Sequence, residues 1–262
     1  MPGLRYGRAM LNVIVTGEAS AGPPLLIAHG LFGSGRNWGV IAKRLSEGRR
    51  VLTVDMRNHG ASFWSAAHGY GDLAADLAEV IAAHGGRADV LGHSMGGKAA
   101  MRLALDSPSA VNRLVVADIA PVAYGRSQAP LIHAMRGLDL TGIAARSEAD
   151  RRLAAAVPDT GTRAFLLQSL DLKAEPPRWQ LNLDALEAEM PRIVGWEAVA
   201  GSYESPVLFL SGGASDYVKP EHRAQVRALF PTARFARIPG AGHWLHAEKP
   251  REFAAAAAAF LT

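Results

Sequence analysis

Ser94 lies between Gly92 and Gly96 in Val90-Leu91-Gly92-His93-Ser94-Met95-Gly96-Gly97, a spacing suited to nucleophilic chemistry. Glycine two residues either side of a serine lets a chain leave a strand, turn at the serine and enter a helix whose first amides face a substrate. A serine hydroxyl attacks poorly at neutral pH, so it needs a base within hydrogen-bond reach and an acid to orient that base. His243, in the glycine-rich stretch Gly240-Ala241-Gly242-His243, is the candidate base. Two aspartates at predicted strand ends are candidate acids: Asp118 in Val116-Ala117-Asp118-Ile119-Ala120-Pro121, and Asp216 in Gly213-Ala214-Ser215-Asp216-Tyr217-Val218. Whichever is not the acid is a turn or loop-capping residue.

Attack on a carbonyl also requires amides aimed at the developing oxyanion. Met95, directly after the serine, supplies one, and the loop after His29 supplies a second, with Leu31 first and Phe32 as the alternative. Other polar residues read as structural. His29 and Gly30 shape their loop, and His93 packs beneath the turn. His243 and His246 have a spacing that could hold a metal, but a zinc site needs a further ligand, so no metal is expected. Asp55-Met56-Arg57-Asn58-His59-Gly60 reads as a polar turn held by an internal Arg–Asp pair. Lys98 could serve a Ser–Lys scheme, but with a histidine available it reads as a packed or solvated lysine.

The elements that position these residues alternate. The stretch 4–17 suggests a pair of edge strands. Buried runs at Leu25–His29, Arg50–Asp55, Ala88–Leu91, Val111–Ala117, Pro206–Leu210 and Ala233–Ile238 read as strands covered on both faces. Helical spacing separates them at Trp38–Ser46 with Asn37 as N-cap, and at Tyr70–His84, Met95–Ser107, Pro220–Phe230 and Arg251–Leu261. Such alternation predicts an α/β fold, a mostly parallel sheet flanked by helices. From Pro121 to Ser205 no buried strand is evident and short helical patterns break at Gly142, Pro158, Pro176-Pro177 and Pro191. The expected division is therefore a core of 1–120 and 206–262 with a helical cap, 121–205, inserted after the strand ending at Asp118. In that cap Phe165, Leu166, Trp179 and Trp196 either line an apolar acyl pocket, with Phe32 facing them from the core, or form the cap's own core.

The chain has 262 residues, 49% of them hydrophobic and 20% charged, the makeup of an ordinary globular protein. A net charge of +4 carries no basic run or basic-aromatic stripe, so no nucleic-acid partner is expected. With no cysteine, disulfide and thiolate chemistry are absent. No stretch reads as a signal peptide or membrane span, so a cytoplasmic protein is expected.

Five motifs together, His29-Gly30-Leu31-Phe32-Gly33-Ser34, Asp55 to Gly60, Gly92 to Lys98, Asp118-Ile119-Ala120-Pro121-Val122 and Gly240-Ala241-Gly242-His243-Trp244, resemble the α/β-hydrolase superfamily. The resemblance is nearest to small bacterial YbfF-like esterases and their ABHD11-like animal relatives, and runs over nearly the whole chain; the inserted segment matches mainly through Ile193-Val194-Gly195-Trp196. It implies the α/β-hydrolase fold and cofactor-free hydrolysis of acyl esters or thioesters by a serine, acid, histidine triad in that chain order. The nearer branch keeps the Asp-Ile-x-Pro element, which favours Asp118, whereas the wider superfamily places the acid in a Gly-x-x-Asp loop, which favours Asp216. The reading puts Asp118 first. Carbon–carbon bond hydrolysis and perhydrolysis are rival chemistries on the same triad, and a low-turnover ligand sensor is the rival of another class.

Overall fold

A computed structural model describes residues 10–262. Nine strands and eleven helices follow one another along them: β1 (Val13–Thr16), β2 (Leu25–Ala28), α1 (Gly39–Leu45), β3 (Val51–Val54), α2 (Tyr70–Ala83), β4 (Ala88–His93), α3 (Met95–Asp106) and β5 (Val111–Ala117) come first. The chain continues through α4 (Ala129–Gly137), α5 (Arg146–Leu153), α6 (Thr160–Leu166), the two-residue strands β6 (Leu170–Asp171) and β7 (Arg178–Trp179), α7 (Leu183–Ala188) and α8 (Met190–Val194). It closes with β8 (Val207–Gly212), α9 (Arg223–Leu229), β9 (Arg234–Ile238), α10 (Leu245–Glu248) and α11 (Pro250–Leu261).

Seven strands form one sheet in the order β1-β3-β2-β4-β5-β8-β9. Only β1 runs antiparallel to its neighbour; the other six are parallel. Alternate residues of each buried strand feed opposite layers, as the two-residue period requires. Leu26, Ala28, Val90, Leu114 and Val116 pack with α2 and α3, while Leu25, Ile27, Leu91, Val115 and Ala117 pack with α1 and α11. Both faces are thus covered, which explains the continuous apolar runs. β5 and β8 are neighbours in the sheet, so everything between Ala117 and Val207 lies outside it.

Several local expectations differ from the structure. Of the two edge strands expected within 4–17, Val13–Thr16 forms, and most of the other falls outside the described residues. Asn37 does not cap an α-helix: its Oδ1 accepts the Ser34 N–H at 2.7 Å inside a 3₁₀ turn, Gly35–Trp38, and α1 begins only at Gly39. The break expected at Pro191 falls just ahead of it, between the end of α7 at Ala188 and α8, and the proline sits in the first turn of α8, where its missing N–H costs nothing. The expected Asp55–Arg57 pair is absent. Arg57 instead forms a bidentate pair with Asp76 of α2 at 2.6 and 2.8 Å, and Asp55 accepts from the Gly35 and Ala61 amides and Asn12 Nδ2. β3 ends at Val54, and in the loop that follows Asp55 turns to the Gly35 amide while Arg57 turns to α2. Among the described residues no helix is long and apolar enough to cross a membrane.

Candidate active site

Parallel strands deliver their following loops to one edge of a sheet. Here His29 follows β2, Asp55 follows β3, Ser94 follows β4, Asp118 follows β5, Ser215 follows β8 and His243 follows β9. At Ser94 the chain passes from β4 to α3 with φ 52° and ψ −120°, a left-handed backbone that costs a side-chain-bearing residue about 1–3 kcal/mol. The turn closes so tightly that a Cβ on Gly92 would lie 2.2 Å from the Gly96 carbonyl oxygen, and one on Gly96 would lie 2.4 Å from that of Ala28. Glycine at both positions follows from this close approach.

The half-buried Ser94 Oγ lies 3.1 Å from His243 Nε2, and His243 Nδ1 lies 2.7 Å from Asp118 Oδ2. Asp118 is fully buried and also takes the Gly212 N–H at 3.0 Å and the Ser215 hydroxyl at 2.5 Å. Three donors therefore fix this carboxylate. Asp216 stands apart, exposed and paired with Arg126 at 3.0 Å. Of the two candidate acids, Asp118 is thus the one in contact with the histidine. The Tyr217 ring stacks on the imidazole with centroids 3.9 Å apart, and His93 donates from Nε2 to the His243 carbonyl at 2.9 Å. Burial, together with His246 and His243 nearby, holds the His93 pKa well below the ordinary histidine value, so it is a neutral prop.

The first amide candidate, Met95, opens α3 beside Ser94. The second is separated from its alternative by hydrogen bonding: the Phe32 N–H is taken by His59 Nε2 at 3.1 Å, whereas among the described residues the Leu31 N–H meets no acceptor. Leu31's peptide is held from behind. Its other half, the Gly30 carbonyl, accepts from His29 Nδ1 at 2.7 Å and from the Gly33 amide at 3.0 Å, and in a trans peptide the N–H points the opposite way. His29 Nε2 accepts the Met56 N–H at 2.9 Å, which fixes the tautomer.

A cavity of about 450 Å³ opens over Ser94. Phe32 and Phe165 border it, as do Ile119, Tyr124, Ile193 and Trp244, none of which sequence reasoning placed there. Trp179 and Trp196 do not: Trp179 is buried with its indole N–H on the Met135 carbonyl at 2.8 Å, and Trp196 packs on Tyr70. Aromatic type alone could not separate a pocket wall from a packed core. The signal for Tyr124 in the sequence is its place as the first aromatic after the Asp118 strand; its hydroxyl takes the Ala120 N–H and donates to the Tyr217 carbonyl, both at 2.8 Å.

Lys98 is buried and, among the described residues, has no carboxylate partner. Its Nζ donates to the Val194 carbonyl at 3.0 Å and the Gly195 carbonyl at 2.5 Å, tying α3 to the end of α8, and burial lowers its pKa to about 7. His246 stacks on Trp38, with centroids 4.1 Å apart. Among the described residues no three acidic, histidine or cysteine side chains converge on a metal position.

Comparison with known proteins matches residues 25–256 to the alpha/beta hydrolase family. The sn-1-specific diacylglycerol lipase ABHD11 of Mus musculus is 41% identical over 257 residues, 95% of this chain and 83% of the relative. Esterase YbfF of Escherichia coli strain K12 is 38% identical over 229 residues, 87% of this chain and 88% of the relative. A solved structure described as a marine microorganism esterase superimposes with a TM-score of 0.91 at 35% identity, covering 97% of this chain and all of that one.

Proposed function

The chain belongs to the alpha/beta hydrolase family, and on that premise we propose that it is a serine hydrolase of carboxylic acyl esters or thioesters working through an acyl-enzyme. The observation that carries this reading is the row Ser94 Oγ, His243 Nε2, His243 Nδ1, Asp118 Oδ2, with its links of 3.1 and 2.7 Å. Relatives named esterase and lipase support it.

In this mechanism Ser94 Oγ attacks the acyl carbon while His243 Nε2 takes the hydroxyl proton. Asp118 holds the tautomer and stabilises the imidazolium that forms. The carbonyl oxygen becomes an oxyanion facing the Met95 and Leu31 N–H groups; the loss of one such donor costs about 3–4 kcal/mol in other hydrolases. The imidazolium then gives its proton to the leaving alcohol or thiol. Water, deprotonated by the same nitrogen, releases the acid and restores Ser94. Segment 121–205 acts as a cap, and the side chains it shares with the core around the cavity, Phe165 and Ile193 among them, receive the apolar part of the substrate.

The test is Ser94→Ala against a series of acyl esters and acyl thioesters, with a fluorophosphonate probe on the unaltered protein. Turnover at or below background in the variant, and probe attached at Ser94, are expected. Turnover retained by a folded Ser94→Ala protein would exclude the mechanism.

A further inference from the structure

Phe32 is the residue in the loop after β2 that has a left-handed backbone, φ 64°, without being glycine. Both polar groups of its main chain are held by side chains from elsewhere. His59 Nε2 accepts the Phe32 N–H at 3.1 Å, and the buried Ser169 hydroxyl donates to the Phe32 carbonyl at 2.8 Å. His59 can accept there because its Nδ1–H is committed to the Arg57 carbonyl at 2.8 Å. The two holders are themselves joined: Gly60 N–H donates to the Gln180 carbonyl, and Gln180 N–H donates to the Ser169 carbonyl, both at 2.8 Å. The result is a closed circuit running Phe32, His59, Gly60, Gln180, Ser169 and back to Phe32, through the loop after β2, the loop after β3 and the inserted segment.

We propose that this circuit sets the aim of the Leu31 amide, and that His59 and Ser169 are positioning residues through which the placement of the inserted segment reaches the oxyanion site. The inference rests on the reading of Leu31 as an oxyanion donor. The physical reason is geometric. Phe32 sits in a backbone well it would not choose alone, so releasing either end lets the loop relax toward ordinary φ, and Leu31, one residue back, turns with it. Neither side chain borders the cavity over Ser94. Their effect falls on the transition state, where the oxyanion bond strengthens, and not on ground-state binding.

The test measures kcat and KM on a short acyl ester, and the affinities of a boronic acid and of the carboxylate product, for the unaltered protein, Ser169→Ala, His59→Ala and His59→Gln. A boronic acid bonded to Ser94 presents an oxygen to the same amides, whereas the product carboxylate binds without the tetrahedral geometry. We expect kcat to fall about 5–10-fold in Ser169→Ala and about 100-fold in His59→Ala, as a misaimed rather than missing donor. KM and product affinity stay within about twofold, boronate affinity falls in step with kcat/KM, and His59→Gln, whose amide oxygen can take the Phe32 N–H, regains part of the loss. Losses confined to KM, or boronate affinity unchanged while kcat falls, would overturn the proposal. If His59→Ala does not fold, Ser169→Ala, which removes one buried oxygen, decides alone, and kcat within twofold of the unaltered protein rejects the circuit. Ser94→Ala run alongside separates the two readings: turnover there removes the serine mechanism itself, whereas its loss with Ser169→Ala fully active removes only the circuit.

Discussion

Ser215 donates its hydroxyl to Asp118 Oδ2, the same carboxylate oxygen that lies 2.7 Å from His243 Nδ1. One oxygen is thus shared between the imidazole and a second donor, and the Gly212 amide on Oδ1 completes the fixing of the carboxylate.

Asp118→Asn should therefore present an amide N–H or a weaker acceptor to His243 and disfavour the required tautomer, lowering kcat on the order of 10⁴-fold with the fold intact. Asp216→Asn, whose partner is the exposed Arg126, should stay within about twofold, and Ser215→Ala should lose less than about tenfold because the histidine bond survives. Steady-state kinetics on one acyl ester for all three variants decides; equal losses for the two aspartates would remove Asp118 from its role.

Acid should unfold this protein through its buried histidines. Burial first, then nearby positive charge, lowers both His68 and His246 to about 3 from an ordinary 6.5. Each is neutral in the folded chain and binds a proton once unfolded, so the stability it contributes is complete above 6.5 and lost as pH falls toward 3. Each adds a slope approaching 1.4 kcal/mol per pH unit in that window, roughly the free energy of one proton per decade. His246→Phe keeps a ring against Trp38 and has no proton to take up; urea unfolding from pH 7 to 4 should show a shallower decline for it, and an unchanged slope would contradict the assignment.

Gly92→Ala should cost at least about 3 kcal/mol, because the new methyl meets backbone atoms of Gly96 and Gly97 within 2.7 Å and no side chain can move aside. Thermal unfolding of the variant measures this. Gly48→Ala makes a useful contrast: a Cβ there meets open space, so the strain of its positive φ is the whole of the penalty, about 1 kcal/mol.

Lys98→Met should leave phosphonate labelling of Ser94 within about tenfold, since His243 and not the amine faces the serine hydroxyl. Its cost falls on stability, about 1–3 kcal/mol, because the Gly195 carbonyl loses its donor and the Val194 carbonyl keeps only the Tyr124 N–H. Loss of labelling in a folded variant would revive a Ser–Lys scheme.

Much of this arrangement could be read from residue order. A glycine pair around Ser94, apolar runs long enough to be buried on both faces and the late His243 loop specify a mostly parallel sheet and the edge where its loops meet, and all the strands but β1 are parallel. What the sequence left open depended on side-chain direction. Asp118 and Asp216 both follow strands, and only the fold turns one inward to His243 and the other outward to Arg126. Arg57 finds Asp76 on a helix rather than Asp55 two residues away, and Trp179 spends its N–H on Met135 rather than facing the cavity. Long-range pairings of this kind leave no periodic trace along a chain. Tyr217 stands next to Asp216 in the chain, but nothing in its spacing tells that its ring lies flat against the imidazole.

The adjacency of β5 and β8 has a consequence for how such a protein can diversify. A chain that departs the sheet at Ala117 and rejoins it one strand over at Val207 can lengthen, shorten or exchange the intervening stretch without shifting the register of any strand pair. The acid at the point of departure and the Gly212 and Ser215 donors just after the point of return stay bonded across that junction. The inserted segment can therefore change while the Ser94, His243 and Asp118 row keeps its hydrogen bonds. The bond from Ser169 to the Phe32 carbonyl is where a replacement segment would have to be fitted, because on the proposed mechanism one that leaves this carbonyl without a donor keeps Ser94 but loses the aim of the Leu31 amide.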